Sequence, residues 1–210
     1  MSSLSVQPSA SKVKGRPRSF DREQALVKAL NLFWVRGYEL TSVAELCSAL
    51  EIKPPSLYAA FGNKAQLFLE AVSYYEEKYW DGARRQLELE PDVHQAIAGF
   101  FKTSLDILLS PAAPCGCLVV IAAAGVSPED SEVSAPLKAL RRQSHEVLMR
   151  RLQRGIDEGQ LPASTNPATL ATVFTTLLEG ISVQLKDGAE PHELYAVGEY
   201  VMCLMPARVA

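Results

Sequence analysis

Long hydrophobic runs are missing from this 210-residue chain. The longest, residues 118–126, is far short of the roughly 20 apolar residues that span a bilayer. The first residues hold no apolar stretch of the kind a secretory leader carries, so a cytoplasmic protein without a membrane partner is expected. Cysteine is sparse. Cys47, Cys115, Cys117 and Cys203 make no disulfide framework and fit a reducing compartment. Histidine is sparser still, and His94, His145 and His192 stand isolated, outside metal-finger spacing, so neither a metal nor a cofactor is expected. There is no P-loop, no Gly-x-Gly-x-x-Gly, no His-Glu-x-x-His and no Gly-x-Ser-x-Gly. A non-enzyme is expected. Alternating strand patterns and internal repeats are lacking too, which leaves an all-α fold.

What is present begins with an uneven charge. The net charge of −3 hides a split: residues 1–64 carry nine Lys/Arg against five Asp/Glu, and residues 65–210 carry twelve against nineteen. A basic head on an acidic body suits nucleic-acid binding. The arm 1–19 is rich in serine and spaces Lys12, Lys14, Arg16 and Arg18 along it. Arg16 and Arg18 are candidates for contact with phosphate or the minor groove; a solvated tail is the alternative.

Thr41 to Lys64 organises the rest. Val43, Leu46, Cys47 and Leu50 fall on one face of a helix, opened by a capping box at Ser42 and Glu45 with Thr41 as a rival cap. Residues 51–54 break the pattern, because the residue before a proline is pushed away from helical angles. Pro54 or Pro55 starts a second helix, where a missing N–H costs nothing. On it Leu57, Ala60 and Phe61 point one way, and Pro55, Ser56, Tyr58 and Ala59 the other. This is a helix-turn-helix with a small outer face suited to the major groove. Ser56 and Ala59 are placed on base edges; Thr41, Ser42, Lys53, Pro55, Tyr58 and Lys64 join them as DNA-binding residues. Ahead of it, Asp21 caps a helix buried through Leu26, Ala29, Leu30 and Phe33 and stopped by Gly37. Trp34 and Tyr38 read as core, not as base-stacking aromatics.

Gly15-Arg16-Pro17, Phe33 to Tyr38, Thr41-Ser42-Val43, Pro55 to Gly62 and Lys64 together make the chain resemble the TetR/AcrR family of transcriptional repressors over roughly its first third. The resemblance implies a three-helix DNA-binding domain at 20–64 after the arm 1–19, followed by a C-terminal helical bundle at 65–210 for effector binding and dimerisation. It also implies a phosphate contact for Lys64. The family usually has glycine where Glu51 stands, at a turn that needs a left-handed backbone.

Beyond the head, a long helix is expected over 64–88, capped by Asn63, and further helices near 92–109, 116–125, 131–158, 166–186 and 191–205. Arg141, Arg142, Arg150, Arg151 and Arg154 read mostly as a solvated face. Trp80, Phe100, Phe101, Leu105, Phe174 and Leu178 are effector-pocket candidates that would serve equally as core. Cys115 and Cys117 at a helix start are added as rim residues; packing, electrophile or redox sensing, and Cu(I) binding stay open for them. The last two helices offer Val173, Leu177 and Ile181, and Val197, Val201 and Leu204, as a homodimer seam or as ordinary packing. The expected function is a dimeric repressor that leaves a palindromic operator when a small molecule binds. An effector-independent architectural or constitutive regulator is the alternative.

Overall fold

The structure, a computed structural model, describes residues 21–208 apart from 112, 124 and 128. Arg16 and Arg18 lie outside the described residues. Helices account for every regular element among those residues. The head is α1 (Arg22–Arg36), α2 (Val43–Leu50) and α3 (Pro54–Phe61), followed by α4 (Lys64–Tyr75). Asp21 accepts from the Glu23 and Gln24 amides, Ser42 and Glu45 close a reciprocal capping box, and Asn63 and Gln66 close another. Glu51 does take the left-handed conformation, with φ 57° and ψ 37°. A residue with a Cβ holds that angle at about 1 kcal/mol. Lys28 holds its side chain at 2.8 Å.

The long helix expected over 64–88 is interrupted. After Tyr75 it runs through a π-turn, Glu76–Trp80, before resuming as α5 (Asp81–Leu89). The widened register lets the Glu76 carbonyl accept from the Asp81 amide, five residues on. The body continues with α6 (Val93–Leu108), α7 (Leu118–Ala123), α8 (Ser131–Asp157), α9 (Pro167–Lys186) and α10 (Pro191–Tyr200). A 3₁₀ turn, Val201–Leu204, ends it, so the helix expected over 191–205 stops short of its last residues.

One core runs from the head into the body. Phe33, Trp34, Phe68 and Tyr75 are fully buried, with Trp34 edge-on to Tyr75 at 4.7 Å. The Trp34 indole donates to the Gly116 carbonyl at 2.9 Å, and Lys186 at the end of α9 donates to the Val35 carbonyl at 3.1 Å. Ser127 and Glu132 reach Glu39 and Asn63 from the other side. A second core lies between α5, α6, α8 and α9 around Phe101, Leu152 and Phe174. Arg151 is a correction: it is not on the solvated face of α8 but buried, donating to the Glu90 and Pro91 carbonyls at 2.9 and 3.0 Å. The end of α5 leaves carbonyls without helical partners, and the guanidinium satisfies two just beyond it.

Candidate DNA-binding surface and bundle cavity

The outer face of α3 is fixed from behind. Leu57 and Phe61 are buried, while Lys53, Pro55, Ser56, Tyr58 and Ala59 are exposed on the opposite face. Arg22 braces the end of that helix: it donates to the Ala60 carbonyl, sits 4.6 Å from the Phe61 ring centroid, and grips both oxygens of Glu70 on α4 at 2.5 and 2.7 Å. A single arginine thus ties α1, α3 and α4 into one rigid unit. Ser42 is exposed at the start of α2. Lys64 lies at the start of α4 with its Nζ 4.2 Å from the Tyr38 ring centroid. Desolvation there lowers the lysine's pKa, against the pull of Glu39 and Asp130. Burial in the same place pushes the Tyr38 hydroxyl up to about 12. Thr41 has to be removed from the DNA-contacting set. It is fully buried, and its hydroxyl donates to the Gly37 carbonyl at 2.7 Å, closing the loop between α1 and α2.

In the body a cavity of about 70 Å³ opens between the π-turn, α6, α7, α8 and α9. That is well above the roughly 10–15 Å³ a single water needs, so the space can hold ordered water. Glu76 and Trp80 of the π-turn face it, and Arg84 of α5 pairs with Glu76 at 2.7 Å. Burial raises the Glu76 carboxyl's pKa although Arg84 pulls it down. The Arg84 guanidinium, which desolvation opposes, is held above its ordinary value by its bonds to Glu76. It also donates to the Glu76 carbonyl, so this one side chain staples the π-turn at two points. Beside it the Tyr75 hydroxyl rests against the Cys117 sulfur, and burial pushes the Cys117 thiol up. Less of it is thiolate at neutral pH, which disfavours nucleophilic chemistry.

Comparison with known proteins follows the same division of the chain. The family model for bacterial regulatory proteins of the tetR family matches residues 25–71, and one for tetracyclin repressor-like C-terminal domains matches residues 94–194. The transcriptional repressor ComR of Escherichia coli K12 is 31% identical over 201 residues, covering 94% of this chain and 95% of its own. The chain belongs to the TetR family. It is a helix-turn-helix, DNA-binding transcriptional regulator. The repressor BdcR of E. coli K12 is 50% identical over 70 residues, 33% of this chain and 36% of its own. A cysteine-substituted form of the TetR regulator CifR, solved with 26-bp double-strand operator DNA, is 42% identical. It superposes with a TM-score of 0.86, covering 91% of this chain and 100% of that one.

Within the TetR body, the expected pocket residues separate into two groups. Trp80, Phe100, Cys117 and Leu178 do line the cavity. Phe101, Leu105 and Phe174 do not: they are buried in the two cores, where large apolar side chains fill the space between helices. Cys115 is exposed and is not part of the cavity wall. Among the described residues no cluster of three metal-ligating side chains occurs. Sequence reading missed Glu76, Arg84, Arg141 and Glu179. Glu76 and Arg84 are eight residues apart, about 12 Å along a regular helix, so no helical pairing rule marks them. The seam residues also divide. Val173 and Leu204 are exposed and Leu177 and Val197 half-buried, whereas Ile181 and Val201 are buried inside the chain and cannot line a seam.

Proposed function

We infer that this TetR regulator represses transcription as a homodimer on a near-palindromic operator and leaves it when a small molecule enters the bundle cavity. The observation that carries the reading is the braced α3, whose exposed face is built from short side chains that let a helix sit deep in the major groove. Ser56 and Ala59 contact base edges, and Ser42, Lys53, Pro55, Tyr58 and Lys64 contact the backbone beside them. Residues 20–64 are the DNA-binding domain and residues 65–210 the effector and dimerisation domain. The reading makes the protein a cytoplasmic one without catalytic activity.

Dimerisation is supported by α9. By length and composition the helix is apolar enough to cross a membrane, yet 22% of that stretch is buried. Val173 and Val183 are 37% and 47% exposed, and at Gly180 an added Cβ would meet nothing. An apolar helix face left open, with room for close approach, suits a second copy with the same face. Two-fold symmetry then presents two recognition helices to successive major grooves, about 34–36 Å apart.

Release follows from the cavity's position. It abuts the π-turn, and an effector shifts the heads only by binding one arrangement of that helix better than another. The Trp34–Gly116 and Lys186–Val35 bonds connect the cavity's surroundings to the head. The test is fluorescence anisotropy of DNA from beside the protein's own gene, with and without a small-molecule panel. Saturable binding by two chains per site, reversed by a compound, is expected. Binding that no compound changes, with the cavity shown to be empty, would instead favour a constitutive regulator.

A further inference from the structure

The cavity's unspent hydrogen-bonding groups define what it takes. Every hydroxyl on its wall has already given its proton to its own helix: Ser144 to the Leu140 carbonyl, Thr175 to Ala171, Ser182 to Leu178. These oxygens keep lone pairs and can only accept. Glu76 and Arg84 neutralise each other at 2.7 Å. Two charged groups on the wall remain without an ion-pair partner among the described residues. Arg141 on α8 makes one long bond, to the Val119 carbonyl at 3.4 Å, and leaves the rest of its donor fork open. Glu179 on α9 makes none. Thr175, Glu179 and Ser182 fall at i, i+4 and i+7 and line one stripe of α9, so that wall offers acceptors alone. Trp80 adds an indole N–H without a hydrogen-bond partner among the described residues, and the remainder is apolar, including Phe100, Val147 and Leu148. At about 70 Å³ the cavity is under half the roughly 150 Å³ that encloses a benzene, so one ring is the upper limit and it enters only as wall side chains give way.

We propose that the cavity takes a small aromatic carboxylic acid bearing a hydroxyl or amino donor, its carboxylate on Arg141 and its donor on the acceptor stripe of α9. This rests on the reading of the cavity as the effector site. A planar guanidinium fork with free N–H groups recognises a carboxylate bidentately. Glu179 would repel an acid with no donor to offer it, so the donor is what makes the acid acceptable. The ring fills the apolar middle.

The probes are 3-hydroxybenzoate, benzoate and 3-methylphenol, titrated calorimetrically into the full chain. 3-Hydroxybenzoate is expected to bind at least tenfold more tightly than either of the others. In Arg141→Gln its advantage over 3-methylphenol disappears, and in Glu179→Gln its advantage over benzoate shrinks. Leu148→Trp, which fills the cavity, abolishes binding of all three; circular dichroism and melting of that variant confirm that it is folded. If 3-methylphenol binds as tightly as the acid, or Arg141→Gln leaves the preference intact, the ligand class is overturned and the cavity stands as a site. If no probe binds, or binding survives in folded Leu148→Trp, the reading of the cavity falls as well.

Discussion

Head and body are built of the same element and differ in what they leave unfinished. In the head, the starts of α1, α2 and α4 are each capped by a side chain, the core aromatics are buried, and Arg22 spends its fork on Glu70 and Ala60. The body carries a π-turn, a cavity against it, charges on Arg141 and Glu179 with no ion-pair partner among the described residues, and an open apolar face on α9. On the proposed reading, completed packing gives a firm reading surface, and unfinished packing leaves room for a ligand and a second chain. A regulator needs both kinds, since the reader must keep its shape while its support changes.

The strongest way to break the comparison is at the joint. Trp34→Ala deletes a fully buried ring and the bond to Gly116. A loss of about 3–5 kcal/mol is expected, measured by chemical denaturation of head and body signals together. Two separate transitions, with the body unaffected, would show that the shared core does not couple them.

Next in size is the open face. Val173→Glu places a charge on the exposed stripe of α9 without disturbing either core. Monomers by sedimentation and an operator affinity at least a hundredfold weaker are expected, because an apolar seam does not accept an unpaired charge. The contrasting Val201→Glu strikes a buried side chain and should unfold the chain end before it changes assembly.

The head's own contribution is smaller per residue. Lys64→Ala should weaken operator and random DNA alike, by up to about tenfold, and lower the salt slope by about one per head. A changed base preference with the slope intact would give Lys64 a role in reading sequence. Loss of its stacking on Tyr38 adds about 0.5–1 kcal/mol of destabilisation at most.

The smallest change is Glu51→Gly. It relieves a left-handed backbone but loses the exposed bond to Lys28 and adds freedom to the unfolded chain. A shift within about 1 kcal/mol is expected by melting, and DNA affinity should hold, since Arg22 and the buried Leu57 and Phe61 also hold α3.

The head was legible because its signals are local. Asp21, Ser42 with Glu45, the prolines that open α3, and Asn63 each act on the next few residues, and each does so in the structure. Trp34 and Tyr38 were rightly assigned to the core by their spacing. Thr41 escaped because its inward turn depends on the loop after Gly37. In the body the helices were legible and their partners were not. Apolar spacing on α6 and α9 marks Phe101, Phe174 and Ile181 without saying whether core, cavity or partner lies opposite. The π-turn escaped for the same reason: Glu76 is stapled by Arg84 only once tertiary packing has widened the register. Cys117 is half-buried in the cavity wall, and the desolvation that pushes its thiol up is a tertiary property.

The central claim, that a two-fold body sets two rigid heads on one face of DNA, is tested most directly by hydroxyl-radical footprinting of the bound operator fragment at known stoichiometry. Two chains per site and two symmetric protected patches about one helical turn apart are the predicted result. A single protected patch filled by one chain would contradict it.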